Sequence, residues 1–181
     1  GTASGIAYVD IRLSGTATTN YLSLGLGSKS GTAASDSLCL SSWLSIVGGS
    51  LVGINATHLV LSWPTGAETY MTGMTLSATP TRAHVAGTNG ATAGTAYTKF
   101  YLNLTTGAAI DVTIRIGLPQ LEAGLVPSSP IATSGAAATR IADDVRLSPA
   151  ALLQLTGAGG STIAIRGSAS DAGWLIGGAV N

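Results

Sequence analysis

Residues 110–117, Ile-Asp-Val-Thr-Ile-Arg-Ile-Gly, alternate between apolar and polar without a break. A β-strand points successive side chains to opposite faces. Ile110, Val112, Ile114 and Ile116 therefore line one side, and Asp111, Thr113 and Arg115 line the other. The pattern predicts a strand with one face in a core and one in or near water. Gly117, Leu118 and Pro119 are expected to stop the regular ladder, because proline has no N–H to donate to it. Gln120-Leu121-Glu122-Ala123-Gly124 should then carry the chain out of the sheet. The stretch reads as the closing strand of a β-sandwich with an exit linker behind it.

The same period of two recurs upstream. In 6–13, Val9, Ile11 and Leu13 oppose Tyr8, Asp10 and Arg12; in 21–26, Leu22, Leu24 and Leu26 point inward. After a Gly/Ser/Thr loop at 27–37, a strand at 38–47 sets Leu38, Leu40, Leu44 and Ile46 against Cys39, Trp43 and Val47. Gly48-Gly49-Ser50 reads as a turn. A strand at 57–63 has Leu59, Leu61 and Trp63 on one side, and Pro64-Thr65-Gly66 breaks it. Residues 64–73 are expected to form an exposed loop carrying Glu68, Tyr70 and Met71, followed by short strands at 74–78 and 81–86. A Gly/Thr/Asn/Ala loop at 87–96 leads to a strand at 97–104, with Phe100, Leu102 and Leu104 inside and Tyr97, Lys99, Tyr101 and Asn103 outside. About eight short strands at this spacing predict a sandwich or barrel.

Composition supports an all-β chain. Charged residues are 9% of the 181, against roughly 25% in a typical soluble domain. Thr, which suits a pleated surface, and Gly and Ser, which suit turns, supply the polarity instead. Apolar residues at 45% are ample for one sandwich core plus a fragment. Eight basic and eight acidic residues give no electrostatic footprint for nucleic acid and no polybasic membrane patch. No run of about 18 apolar residues exists to span a bilayer. A single cysteine, Cys39, excludes an internal disulfide and a Cys-based zinc site. The first residues lack a signal-peptide pattern, and the abrupt ends suggest a piece of a longer protein. Few lysines and few charges leave little protection against association, so an oligomer is expected.

Three segments carry a resemblance. "AIDVTIRIGLPQLEAGLVPSSPIATSGAAATRIADDV" at 109–145 is similar to the end of a jelly-roll, carbohydrate-binding-like module found in tail fibres, spikes and related virion proteins of bacteriophages and prophages. There a closing strand runs into GxPQLExG, a Pro/Thr/Ser linker and Thr-Arg-x-Ala-Asp. "GIAYVDIRLSGT" at 5–16 resembles the module's opening strand, and "SSWLSIVGGSLVGI" at 41–54 its middle strand and following turn. The resemblance implies an antiparallel jelly-roll β-sandwich over 1–123, a linker over 124–145, and a short C-terminal segment over 146–181 that could begin a second β domain. It also implies a place on the virion surface, partners among copies of itself (a trimer among the options) and other virion proteins, and contact with host-surface glycans. Such modules often hold a structural calcium, for which Asp143-Asp144 would offer oxygen ligands; no other cofactor is implied.

Enzymatic chemistry finds little footing. Glycoside hydrolysis needs two positioned carboxylates. Asp10 and Asp111 would lie close if the opening and closing strands are neighbours, but Arg12 and Arg115 share their faces, which favours cross-strand ion pairs that pin register. His58 and His84 fall in no metalloprotease pattern, no Gly-x-Ser-x-Gly elbow occurs, and the glycines lie between strands rather than before a helix. A sugar is instead gripped by an aromatic face with polar groups that orient its hydroxyls. Trp63 and Tyr70 flank the 64–73 loop that carries Glu68, and Tyr101, Tyr8, Arg12, Asp111 and Arg115 are expected to share a second outward surface. The candidate carbohydrate-binding residues are thus Trp63, Tyr70, Glu68, Tyr101 and Arg115, with core packing the competing role for Trp63. The expected function is a non-enzymatic glycan-binding virion domain. The alternatives are a purely structural spacer, or an accessory domain of a depolymerase whose catalytic part lies elsewhere.

Overall fold

The computed structural model describes residues 1–3, 6–131, 133 and 138. It contains strands β1 (Thr2–Ala3), β2 (Ile6–Thr16), β3 (Tyr21–Thr32), β4 (Ser37–Ser50), β5 (Ile54–Ser62), β6 (Glu68–Tyr70), β7 (Thr81–Thr88), β8 (Gly94–Leu104) and β9 (Ala109–Ala123). One sheet has the order β1-β2-β9-β4-β7 and the other β3-β8-β5-β6, with every pairing antiparallel. Setting the two-residue β1 aside, strands 2-9-4-7 face strands 3-8-5-6. This is the eight-stranded double Greek key of a jelly roll. The all-β sandwich expected from the alternation is the fold.

The core forms between the sheets from residues on alternate positions. β4 contributes Leu38, Leu40 and Leu44, β5 Leu59 and Leu61, β8 Phe100 and Leu102, and β9 Val112, Ile114 and Ile116, all buried. β2 lies beside β9 with Ile11 opposite Ile114, so the chain's opening and closing strands are neighbours. The expected ion pairs follow from that register. Asp10 faces Arg115 directly, and Arg12 reaches Asp111 on the diagonal.

The closing strand differs from expectation at its end. Pro119 does not stop it: β9 continues to Ala123 and stays paired with β4. Between the pairs Ser41–Gln120 and Trp43–Gly117, β4 advances two residues and β9 three. The extra residue is a β-bulge, where a missing donor is tolerated. Leu118 takes the positive φ of 41° there, and the buried Ser42 hydroxyl donates to the Gly117 carbonyl at 2.9 Å. The bulge also changes the phase of the strand. Leu121 now packs on the core, and Gln120 and Glu122, opposite Ser41 and Cys39, lie on the outer face.

Other boundaries shift for similar reasons. β3 runs through the expected Gly/Ser/Thr loop to Thr32, with register shifts at Leu26 and at Ser30-Gly31. β4 runs through Gly48-Gly49 to Ser50, helped by a second bulge between Ile46 and Gly48. The 64–73 loop contains β6, paired with Val60–Ser62. Residues 74–78 form no strand; Leu76 is buried as loop, and the Ser77 carbonyl accepts from the Ile46 N–H at 2.7 Å.

The chain divides into two units, Gly1–Ala138 and Thr139–Asn181. The sandwich belongs to the first. The C-terminal segment at 146–181 and the Asp143-Asp144 pair lie outside the described residues, as does most of the linker expected over 124–145.

Candidate functional site: a tyrosine face on the four-stranded sheet

Paired residues in a sheet share a face, so the ladders of β3, β8, β5 and β6 decide what the outer surface of this sheet displays. Tyr101 lies opposite His58 on one side and Ser23 on the other. Tyr21 faces Asn103, and Val60 faces both Lys99 and Tyr70. Ser62 faces Glu68 and Tyr97. The inward positions between them hold Leu59, Leu61, Phe100 and Leu102. Outward phase on all four strands therefore gathers four tyrosines, a histidine and one acid–base pair on a single surface.

The rings are ordered. Tyr21 and Tyr101 are stacked, with centres 5.6 Å apart and planes 6° from parallel. Tyr70 stands at 88° to Tyr101 with centres 6.1 Å apart, and His58 meets Tyr70 edge-on at 5.6 Å. His58 is oriented from below by a 2.9 Å hydrogen bond between Nδ1 and the Met71 carbonyl. A carbonyl only accepts, so the proton is on Nδ1 and, in the neutral ring, Nε2 is an acceptor. Tyr21, Tyr70 and Tyr97 remain 52%, 41% and 52% exposed. Val60, fully buried beneath them, is the apolar floor.

Charge on this face is compensated internally. Lys99 Nζ donates to Glu68 Oε1 at 2.6 Å, and the Tyr70 hydroxyl donates to Glu68 Oε2. Partial burial pushes the Glu68 carboxyl up, but hydrogen bonds from Lys99, Tyr70 and Ser62 and the Lys99 charge outweigh it and hold the group below its ordinary range. The Tyr70 phenol is pushed up to about 12, first by its hydrogen bond to Glu68, then by burial.

The structure sorts the residues named from sequence. Tyr70, Glu68 and Tyr101 come together on this face. Trp63 does not belong with them. It is in phase with Leu59 and Leu61, is only 5% exposed, and spends its Nε1–H on Thr69 Oγ1 at 2.9 Å, so it offers no ring face to a ligand. Arg115 lies on the outer face of the five-stranded sheet. Its Nε and Nη2 donate to Asp10 at 2.7 and 2.8 Å, and its guanidinium stacks 3.6 Å above the Tyr8 ring centre. The surface expected to join Tyr101 with Tyr8, Arg12, Asp111 and Arg115 is thus split between two sheets. Tyr101 is on one; the other four are on the other.

Sequence reasoning passed over Tyr21, His58 and Lys99 as site residues. Tyr21 precedes the inward Leu22, and His58 precedes the inward Leu59, so both were outward by phase. That they share a sheet with Tyr101 and Tyr70 follows only from the strand order. Among the described residues, no three His, Cys, Asp or Glu side chains group as metal ligands.

No family model matches the chain, and no curated protein matches it. Among solved structures, a chain described as "CBM4 structure and function" is similar at 15% identity and a TM-score of 0.41, over 68% of this chain and 74% of that one.

Proposed function

We propose that the tyrosine face is a glycan-binding surface for uncharged sugars, and that the domain works by adhesion rather than catalysis. The observation that carries this reading is the row Tyr21–Tyr101–Tyr70, with ring centres 5.6 and 6.1 Å apart, running across the strands. The exposed rings of Tyr21 and Tyr70, braced by the half-buried Tyr101 between them, offer apolar surface for a sugar ring to pack on. His58 Nε2, Asn103, Ser23 and the Glu68–Lys99 pair lie alongside to exchange hydrogen bonds with hydroxyls. Each charge on this surface already has its partner. An acidic glycan would have to take Lys99 from Glu68 at the expense of a buried-side carboxylate, whereas a neutral one leaves the pair intact.

The resemblance at 5–16, 41–54 and 109–145 supports a place on the surface of a bacteriophage or prophage virion. There many copies, as a homo-oligomer, would make a weak single site useful against a host glycan coat. The test is an array of neutral and acidic glycans probed with the protein displayed multivalently. Neutral glycans should bind, and Tyr101→Ala or Tyr70→Ala should each lower the apparent affinity about tenfold or more, with Arg115→Ala unchanged. Binding indifferent to both tyrosine variants, or no binding at high avidity, would remove the proposal.

A further inference from the structure

The Gln120-Leu121-Glu122 stretch lies in the 109–145 segment that carries the sequence resemblance, and nothing on the tyrosine face uses it. We infer that Gln120, Glu122 and Arg82 form a clip that seats residues 125–131 on the outer face of the five-stranded sheet. The clip fixes the chain's path out of the sandwich on the side opposite the tyrosines.

The contacts are complete enough to define a binding seat. Glu122 Oε1 accepts from the Ser128 N–H at 2.9 Å, and Oε2 from its hydroxyl at 2.6 Å. Gln120 Oε1 accepts from the Ile131 N–H at 2.8 Å, and Gln120 Nε2 donates to Glu122 at 3.0 Å. Arg82 Nη1 donates to the Ser128 carbonyl at 2.6 Å, while Nη2 donates to Ser41 Oγ at 2.9 Å. Three of these bonds read backbone atoms of the departing segment, and one reads the Ser128 hydroxyl. Two involve a charged partner to a backbone group, the stronger kind of hydrogen bond.

The bulge makes the seat. Without the extra residue at Leu118, the even-numbered positions of β9 would keep pointing into the core, and Gln120 and Glu122 would be buried between the sheets. Pro127 and Pro130 fix their own φ angles and bias the residues before them to extended backbone, which lowers the entropy lost when the segment docks. Cys39 and Ser41 share the outer face with Glu122 and Gln120, both are fully buried, and the Ser41 hydroxyl accepts from the same Arg82 that holds Ser128.

Amide hydrogen exchange on the full chain, read residue by residue, tests the clip. The Ser128 and Ile131 amides should be protected. Ser128→Pro, which removes both donors to Glu122 (the Ser128 N–H and its hydroxyl) without touching the sandwich, should speed exchange at Ile131 about tenfold or more and leave β2 and β9 protected. Glu122→Ala should unprotect Ser128 and, in the still-folded protein, open Cys39 to a thiol reagent. Rapid exchange of both amides in the unaltered protein, or protection of Ile131 that survives Ser128→Pro together with Gln120→Ala, would overturn the inference.

Discussion

Tyr101 and Tyr70 meet at a right angle across β5, with ring centres 6.1 Å apart and the buried Val60 below them. Neither is in the core, yet each is held. Tyr101 stacks on Tyr21, and Tyr70 is hydrogen-bonded to Glu68. Rings fixed in this way lose little further freedom on binding, which is the physical advantage of a preorganised surface. Truncating either should weaken glycan binding while costing only about 1 kcal/mol of stability. Trp63→Ala behaves oppositely. It empties a core site and removes the partner of Thr69, and should cost about 3–5 kcal/mol. Urea unfolding of the three variants beside their glycan affinities separates the two classes of effect.

The Glu68 contacts make stability depend on pH with a defined sign. A carboxyl held below its unfolded value, about 4.3 for Glu, stabilises the fold above that value and loses the contribution as pH falls through the lower folded one. Glu68→Gln should therefore be less stable than the parent above about pH 5, and the gap should close below about pH 4. Urea midpoints across that range check it, and a gap unchanged at the acidic end contradicts it. Tyr70 gives the mirror case. Its phenol is raised to about 12, so its contribution is present below about pH 10 and is lost as pH rises through the folded value. In an ultraviolet titration of the folded protein, Tyr70→Phe should remove a late-ionising tyrosine.

Burial raises the Cys39 thiol to about 11, with the Glu122 charge adding to it. At neutral pH almost none is thiolate, the reactive form. Native protein should leave a thiol reagent unreacted, and denatured protein should consume one equivalent per chain. Rapid native labelling would contradict the burial.

Gly49 and Gly66 both take positive φ, 71° and 84°, but their surroundings differ. A Cβ on Gly49 would fall 2.1 Å from the Asp111 carbonyl oxygen, while one on Gly66 meets nothing. Gly66→Ala should cost about 1 kcal/mol from backbone conformation alone. Gly49→Ala must also displace β9, and should destabilise by several times as much in chemical denaturation.

The sandwich was legible because period-two alternation is a direct consequence of strand geometry. Ile110–Ile116, Phe100–Leu104 and Leu38–Leu40 announce their inward faces residue by residue. β6 escaped because three residues are too short to show a period; its place is set by pairing with Val60–Ser62. Residues 74–78 alternate enough to suggest a strand, but Leu76 is buried in a loop that meets β4 through the Ile46–Ser77 backbone hydrogen bond and forms no ladder. Pro119 signalled an end where the fold uses a bulge, since a missing donor stops a ladder only if pairing does not resume beyond it. At the site, phase identified Tyr101 as outward, and the same phase argued against Trp63. Which outward residues become neighbours depends on the order 3-8-5-6, which joins residues as far apart as Tyr21 and Tyr101 and has no local signature.

A ¹H–¹⁵N NMR titration with a neutral oligosaccharide selected on the array tests the central claim most directly. Shift changes should concentrate on the outward residues of one sheet, Tyr21, His58, Tyr70, Lys99 and Tyr101, and persist at high salt because no unpaired charge is involved. Changes centred on Tyr8, Arg12 and Arg115 of the other sheet, or abolished by salt, would contradict it.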